Sequence, residues 1–226
     1  MIKLISSMAT RQVLAELAAQ WQSNTGIEVT IESVGGVDAA KRVQAGEAFD
    51  GVVLASDAIE KLATGGHVLS SSNVDLVRSS VAVAVKAGTP LPDISTESAL
   101  RSAIEASPTI GYSTGPSGVA LVKLFERWGM WEALKARIVQ APPGIPVGTL
   151  VARGEVALGF QQLSELMHLD GITVVGTLPE AVAITTVFSA ATCATSAQSE
   201  TTATLFAFMA AAESDPVKQK HGMQAA

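Results

Sequence analysis

The run Val74-Asp75-Leu76-Val77-Arg78-Ser79-Ser80-Val81-Ala82-Val83-Ala84-Val85 decides how the rest of the sequence is read. It is rich in β-branched residues, free of glycine and proline, and long for a strand. Before it, short apolar runs alternate with helical patterns. Ile2–Ile5 reads as a strand, and Val13, Leu14, Leu17, Ala18 and Trp21 then recur at helical spacing until Gly26 closes the last turn. Ile27–Ile31, a short helix opened by Gly35-Gly36, the strand Gly51–Leu54 and the helix Ala58–Thr64, capped by Ser56 or Asp57, complete three βα units. After the long run comes the breaker cluster Gly88-Thr89-Pro90-Leu91-Pro92, and a second βα series begins. It comprises helix Thr96–Ala106, strand Thr109–Tyr112, helix Gly118–Trp128, strand Ala136–Gln140, helix Val147–Arg153, strand Val156–Phe160, helix Gln161–Met167 and strand Ile172–Val175. A second long β-type run, Ala183–Ala190, leads to helix Thr201–Ala212 and a short tail, Pro216–Gly222. Two βα series separated by one long strand, with a second returning late, make an α/β protein of two Rossmann-like lobes joined by two crossover β-strands. The boundaries expected are 1–78 with 188–226 for a discontinuous first lobe and 84–182 for the second, with 79–83 and 183–187 as hinge strands.

The composition narrows the function classes. Of 226 residues, 48% are hydrophobic, 4% aromatic and 16% charged, and the net charge is −6 with no basic block, which argues against nucleic-acid binding. Mean hydropathy is +0.35, yet the longest apolar run, Leu205–Ala212, is well short of the roughly 18 residues a membrane span needs. Cys193 is the single cysteine, so an internal disulfide is impossible, and its apolar neighbours make it a small core residue. No apolar leader follows Met1 and Lys3, so the chain as written reads as cytoplasmic, and as periplasmic if a leader has been trimmed. Dinucleotide, P-loop, HExxH and CxxC motifs are missing, no acidic or histidine group has metal-ligand spacing, and no cofactor is expected. His67, His168 and His221 lie far apart and read as surface residues rather than members of a hydrolase triad.

Chemistry in open α/β sheets gathers beyond the carboxyl ends of the strands, against helix N-termini. Four junctions there are rich in small polar residues: Ser6-Ser7-Met8-Ala9-Thr10, Ser33-Val34-Gly35-Gly36, Tyr112-Ser113-Thr114-Gly115-Pro116-Ser117-Gly118 and Gly144-Ile145-Pro146-Val147-Gly148-Thr149. Such residues serve equally as turn formers and as an anion site built from hydroxyls and orphan N–H groups. Arg11, in a first helical turn where an acid is usual, and Arg78, in the long run, are the fixed charges able to grip a carboxylate. In Gly159-Phe160-Gln161-Gln162-Leu163-Ser164-Glu165-Leu166 a strand ends and two amides, a hydroxyl and a carboxylate open a helix. Glu165 is either a buried acid–base group or an ordinary first-turn acid.

Ser6-Ser7, Thr25-Gly26-Ile27-Glu28-Val29, Gly46-Glu47-Ala48-Phe49-Asp50-Gly51-Val52-Val53 and Gly154-Glu155-Val156-Ala157-Leu158-Gly159-Phe160 resemble the type II periplasmic binding proteins of the molybdate-binding family, and the likeness continues to Lys220-His221-Gly222-Met223. The resemblance implies two α/β lobes joined by two strands, with an anion held between them by hydroxyls and backbone N–H groups. Carried over by motif, the contacts are Ser6, Ser7, Gly35, Gly36, Ser117, Gly118, Val147 and Gly148, with Met8, Arg11, Arg78, Tyr112, Ser113, Gln161 and Gln162 as further ligand-facing candidates. Ser33-Val34-Gly35-Gly36 departs from the family's usual serine before the glycine. Asp75-Leu76-Val77-Arg78-Ser79-Ser80, Ala87-Gly88-Thr89-Pro90-Leu91-Pro92-Asp93-Ile94-Ser95-Thr96 and the Gly159–Leu166 segment are similar to the binding-protein-fold group that includes aconitate isomerase. That likeness implies a carboxylate ligand, read here as an organic di- or tricarboxylate, and either simple binding or a cofactor-independent isomerase. The residues themselves offer Glu165 first as the base such an isomerase needs, with Tyr112 and His168 as distant seconds. The partner implied is a small anion, joined by an ABC permease only if the chain is exported. The sequence sets no oligomeric state.

Overall fold

The structure, a computed structural model, describes residues 1–142 and 144–226. In chain order the elements are β1 (Ile2–Ser7), α1 (Arg11–Thr25), β2 (Val29–Val34), α2 (Gly36–Gln44), β3 (Gly51–Ala55), α3 (Ser56–Thr64), β4 (Val74–Lys86), α4 (Glu97–Ala106), β5 (Ile110–Tyr112), α5 (Pro116–Arg127), α6 (Trp131–Leu134), β6 (Ile138–Gln140), α7 (Val147–Arg153), β7 (Leu158–Gln162), α8 (Leu163–Leu166), β8 (Ile172–Thr177), β9 (Thr185–Thr192), α9 (Ser199–Ala210), α10 (Asp215–Lys220) and β10 (Met223–Ala225), with short 3-10 turns between several of them. The chain divides into two compact units. One holds Met1–Ser79 with Thr186–Ala226, the other Ser80–Thr185.

In the first unit β1 lies between β2 and β3, all parallel, with Ser6 opposite Ser33 and Val53, and Ser7 opposite Val34. β9 runs antiparallel along β3. The sheet is covered on both faces, as parallel strands with crossover helices require. Leu4 points to one face, where the α1 stripe of Val13, Leu14, Leu17 and Trp21 packs with Phe206 and Met209 of α9. Ile5 points to the other, with Val43 of α2, Phe49, Val52 and Ile59 of α3. Gly51 is the point of closest approach, since a Cβ there would sit 2.5 Å from the Phe206 ring.

In the second unit β5 pairs in parallel with β6 and β7, while β4 runs antiparallel to β7 and β8. Leu100, Ile104, Leu121, Phe125, Leu158 and Phe160 fill one face. On the other, Val147, Leu150, Val151 and Val156 gather around α7. Gly111 and Gly159 let α7 settle against the strands. A Cβ at Gly111 would fall 2.7 Å from Val156, just beyond α7, and 3.2 Å from Val147 of α7, and one at Gly159 would fall 2.5 Å from Val151.

Three local expectations are corrected. The strand expected at Val156–Phe160 runs from Leu158 to Gln162, because pairing of Val81 with Gln162 and Ala82 with Gln161 holds both glutamines in the sheet. The N-cap of α3 is Ala55, without a side-chain bond, so neither Ser56 nor Asp57 caps it. The short tail forms α10, followed by β10, which pairs with β4. It is pinned by Lys218, fully buried with its Nζ 2.8 Å from Asp215 and 3.2 Å from the Ala210 carbonyl at the end of α9. His221 is also buried rather than on the surface, with its Nε2 2.8 Å from Glu16 Oε2. Among the described residues no helix is long and apolar enough to cross a membrane.

Glu16 bridges α1 to this tail through Lys220, at 2.8 Å, and His221. Those two hydrogen bonds hold its carboxyl below the ordinary value of 4.5. A lowered folded value means stability that is present above pH 4.5 and is lost as pH falls through the folded value. Glu16→Gln is therefore expected to lower the urea midpoint at pH 7, with the deficit shrinking as pH falls below 4.5. A constant deficit across that range would show that the charge is not what matters.

Candidate functional site

The carboxyl ends of β1, β2 and β3 build a polar cradle in the first unit. Parallel register sets Ser6 beside Ser33, and their hydroxyls are 2.8 Å apart. The chain then turns sharply. Ser7 ends β1, its carbonyl accepts from the Thr10 hydroxyl at 3.1 Å, and a 3-10 turn over Met8–Thr10 feeds α1. Ser7 is 7% exposed, and its Oγ is buried without a hydrogen-bond partner. A buried hydroxyl with no partner costs about 1–3 kcal/mol, so its retention calls for a reason. Across from it stands the N-terminus of α2. Gly36 lies beside it, where a Cβ would sit in ordinary contact, 3.8 Å from Ser7 Cβ. The α2 N-cap, Gly35, has no side chain, and the first intrahelical bond runs from Ala39 N–H to the Gly35 carbonyl. The N–H groups of Gly36, Val37 and Asp38 thus lack helical partners, and the helix dipole favours negative charge there.

Arg11 is exposed at the start of α1. Arg78 is exposed too, opposite Gln224 of β10, and the sheet order places β3 and β9 between its strand and β1. The register therefore does not bring Arg78 to the serine cradle.

The second unit gathers its polar residues in the same way, at the ends of β5, β6 and β7. Tyr112 is buried, and burial pushes its phenol up. Ser113 is half-buried and Ser117 buried at the start of α5. Gly118 permits that start to fold onto the strand end, because a Cβ there would fall 1.9 Å from the Ser113 carbonyl. Pro116 has no N–H and the Gly118 N–H is taken by the Gly115 carbonyl at 3.0 Å. The Ser113 and Ser117 hydroxyls and the Ser117 N–H are what this loop offers a ligand.

Val147 and Gly148 differ from expectation. Their N–H groups face protein: Gln161 Oε1 accepts from Val147 at 2.8 Å and from Gly148 at 3.4 Å. The other end of the same amide donates to Glu165 Oε2 at 2.7 Å. Burial pushes the Glu165 carboxyl up to about 7, with the Gln161 hydrogen bond opposing. That value suits a group that takes up and releases a proton near neutral pH. Gln162, the other expected amide, is buried at the strand end. Both glutamines stand out in the sequence, but nothing local joins either to Val147; only pairing of β5 with β7 and closeness of α7 brings these residues together. Ser33 was missed as a partner of Ser6 for the same reason.

Other reactive groups fall away. Burial and the Asp50 charge push the Cys193 thiol up to about 12, as for an unreactive core cysteine. No group of three or more His, Cys, Asp or Glu residues capable of holding a metal is found among the described residues.

Residues 2–224 match the family of bacterial extracellular solute-binding proteins. An aconitate isomerase from Pseudomonas sp is 34% identical over 231 residues, spanning 99% of this chain and 87% of that protein. The periplasmic molybdate-binding protein of Azotobacter vinelandii superposes with a TM-score of 0.82 at 21% identity, covering 99% of this chain and 98% of that one. PEB3 of Campylobacter jejuni with bound L-phospholactate gives 0.78 at 14% identity, covering 99% of both chains. The fold is that of the type II periplasmic binding proteins, as the sequence resemblance implied.

Proposed function

This chain belongs to the family of bacterial extracellular solute-binding proteins, and on that premise we propose that it binds a small organic di- or tricarboxylate anion. The observation that carries the reading is the buried, unpartnered Ser7 hydroxyl beside the uncapped start of α2. A carboxylate oxygen placed there receives a hydroxyl proton and helix N–H groups together, with the α2 dipole adding attraction. Arg11, one turn along from Ser7, supplies a positive charge for a second carboxylate. The carboxylate class is supported by the aconitate isomerase relative and by the L-phospholactate of PEB3. An ABC permease partner and a periplasmic setting belong to this reading.

Melting in the presence of citrate, aconitate, tricarballylate, molybdate and sulfate tests it. A ligand at 100 times its dissociation constant adds roughly 2.7 kcal/mol, worth about 5–10 °C at this chain length. At least one polycarboxylate is expected to raise the melt by that amount. A rise with molybdate alone would overturn the carboxylate assignment.

Glu165 favours a second reading, turnover. A carboxyl group poised near 7 is more than a binding protein needs, and the 34% identical relative is an isomerase. In this reading the Glu165 carboxylate removes a proton from an allylic carbon of an unsaturated polycarboxylate. The C–H electron pair delocalises into the adjoining double bond and carboxylate, as an enolate-like anion held by hydroxyl and N–H donors. Glu165, whose proton exchanges with solvent while the anion is held, returns a proton to the far carbon of the allylic system, so the double bond moves and nothing is consumed. Incorporation of solvent deuterium into cis- or trans-aconitate, followed by NMR, is the expected sign. A protein that binds aconitate without exchange would leave the binding reading alone.

A further inference from the structure

Gln161 is 2% exposed, and its side-chain amide is held at both ends. On one side stand two backbone N–H groups, those of Val147 and Gly148, at 2.8 and 3.4 Å. Backbone N–H groups only donate, so the amide atom facing them must be the carbonyl oxygen. That leaves no choice of flip. The NH2 end faces Glu165 Oε2 at 2.7 Å, and it too can only donate. Glu165 Oε2 is therefore an acceptor whatever the charge of the carboxyl. The chain of polarity starts in the rigid α7 backbone, which Gly111 and Gly159 allow to lie against the strands, and ends on one named oxygen.

We propose that Gln161 is a positioning residue for Glu165: through the Val147 and Gly148 N–H groups it fixes Oε2 as an acceptor, so that the proton Glu165 gains and loses resides on Oε1. Both protonation states keep the Gln161 bond, and the carboxyl cycles without rearranging its support. The α7 N-terminus is accordingly part of the machinery that orients Glu165, not a place for the solute. Of the charged groups on neighbouring elements, Arg153 of α7 is exposed and 3.9 Å from Glu155, and Lys86 at the end of β4 and His168 and Asp170 beyond α8 are exposed. Burial and Gln161 are what set the carboxyl, burial first.

The inference deepens the turnover reading and rests on it for its use in catalysis, but its test needs no ligand. With 15N-labelled glutamine and 13C-labelled glutamate, the Gln161 Hε2 resonances and the Glu165 carboxyl carbon are followed from pH 4.5 to 9, Glu165→Gln providing the assignment. In the parent both are expected to move with one shared midpoint near 7. In Gln161→Glu the new carboxylate still accepts from Val147 and Gly148, so the cap survives, but it no longer donates to Glu165. The Glu165 midpoint should then rise by roughly 1 pH unit or more. A carboxylate this close raises the midpoint by charge alone, so Gln161→Met, which removes the donor without adding charge, decides: a residue that merely capped α7 would leave the Glu165 midpoint where it was, and an unmoved midpoint in folded Gln161→Met overturns the proposal. Should that variant not fold, an unmoved midpoint in Gln161→Glu overturns it as well. Failure of the parent to exchange deuterium would sink the turnover reading and leave this titration unaffected.

Discussion

Glu165→Gln is expected to slow solvent deuterium exchange into aconitate by roughly 10²-fold or more while the variant still binds the acid, because general-base catalysis is worth about that much and the amide cannot accept the proton. Exchange by the parent should climb with pH through about 7, where the buried carboxyl ionises. A second, opposite effect accompanies the loss. Burial raises the folded value from 4.5 to about 7, so folding penalises the charged form. The penalty is absent below pH 4.5, grows as pH rises to 7, and is complete above it. At about 1.4 kcal/mol per unit, its upper bound is about 3 kcal/mol, trimmed by whatever water reaches the half-buried side chain. Glu165→Gln should therefore melt higher than the parent at pH 8 and alongside it at pH 4.5. Retained exchange would remove Glu165 as the base. Equal melts at pH 8 would mean that folding does not penalise the charged carboxyl.

How much of this was legible depended on whether the deciding interaction was local. The long run Val74–Val85 shows in sequence because strand length and β-branching are properties of neighbouring residues, and β4 spans Val74–Lys86. Helix α7 was placed to the residue, at Val147–Arg153, by its breakers and apolar spacing. The end of β7 was not. Helical spacing of polar groups after Phe160 competes with a strand, and the contest is settled by Ala82 opposite Gln161, about eighty residues away in the chain. His221, expected at the surface, was misplaced for a similar reason. Lys218, Lys220 and His221 form a polar run, but partners at Asp215 and Glu16 allow Lys218 and His221 to be buried. At the candidate site the sequence supplied the loops and the candidate base. It could not supply the Ser6–Ser33 pair, the orphaned Ser7 hydroxyl or the polarity running from Val147 through Gln161 to Glu165, since all three are consequences of strand register.

Ser7→Ala is expected to make the protein more stable and a poorer binder at once. The Ser7 Oγ is buried and makes no hydrogen bond within the protein, so deleting it removes a desolvation cost and breaks nothing. Relief of about 1–3 kcal/mol would raise the melting temperature by several degrees without added ligand. Ser6→Ala is the contrast. Its hydroxyl is paired with Ser33 at 2.8 Å, and truncation leaves that partner half-served, so the melt should fall. With a polycarboxylate present the order reverses for Ser7. A hydrogen bond to a charged oxygen is worth roughly 1.5–3 kcal/mol, so Ser7→Ala should weaken citrate or aconitate binding about 10- to 150-fold in calorimetry. Its melt should then respond to ligand far less than the parent's. Opposite signs in the two measurements identify a group kept for the ligand at the expense of the fold, as Glu165 is kept for exchange rather than for binding. If Ser7→Ala melted lower than the parent and bound polycarboxylates as tightly, the hydroxyl would be an ordinary part of the β1 turn, and the anion would have to be held elsewhere.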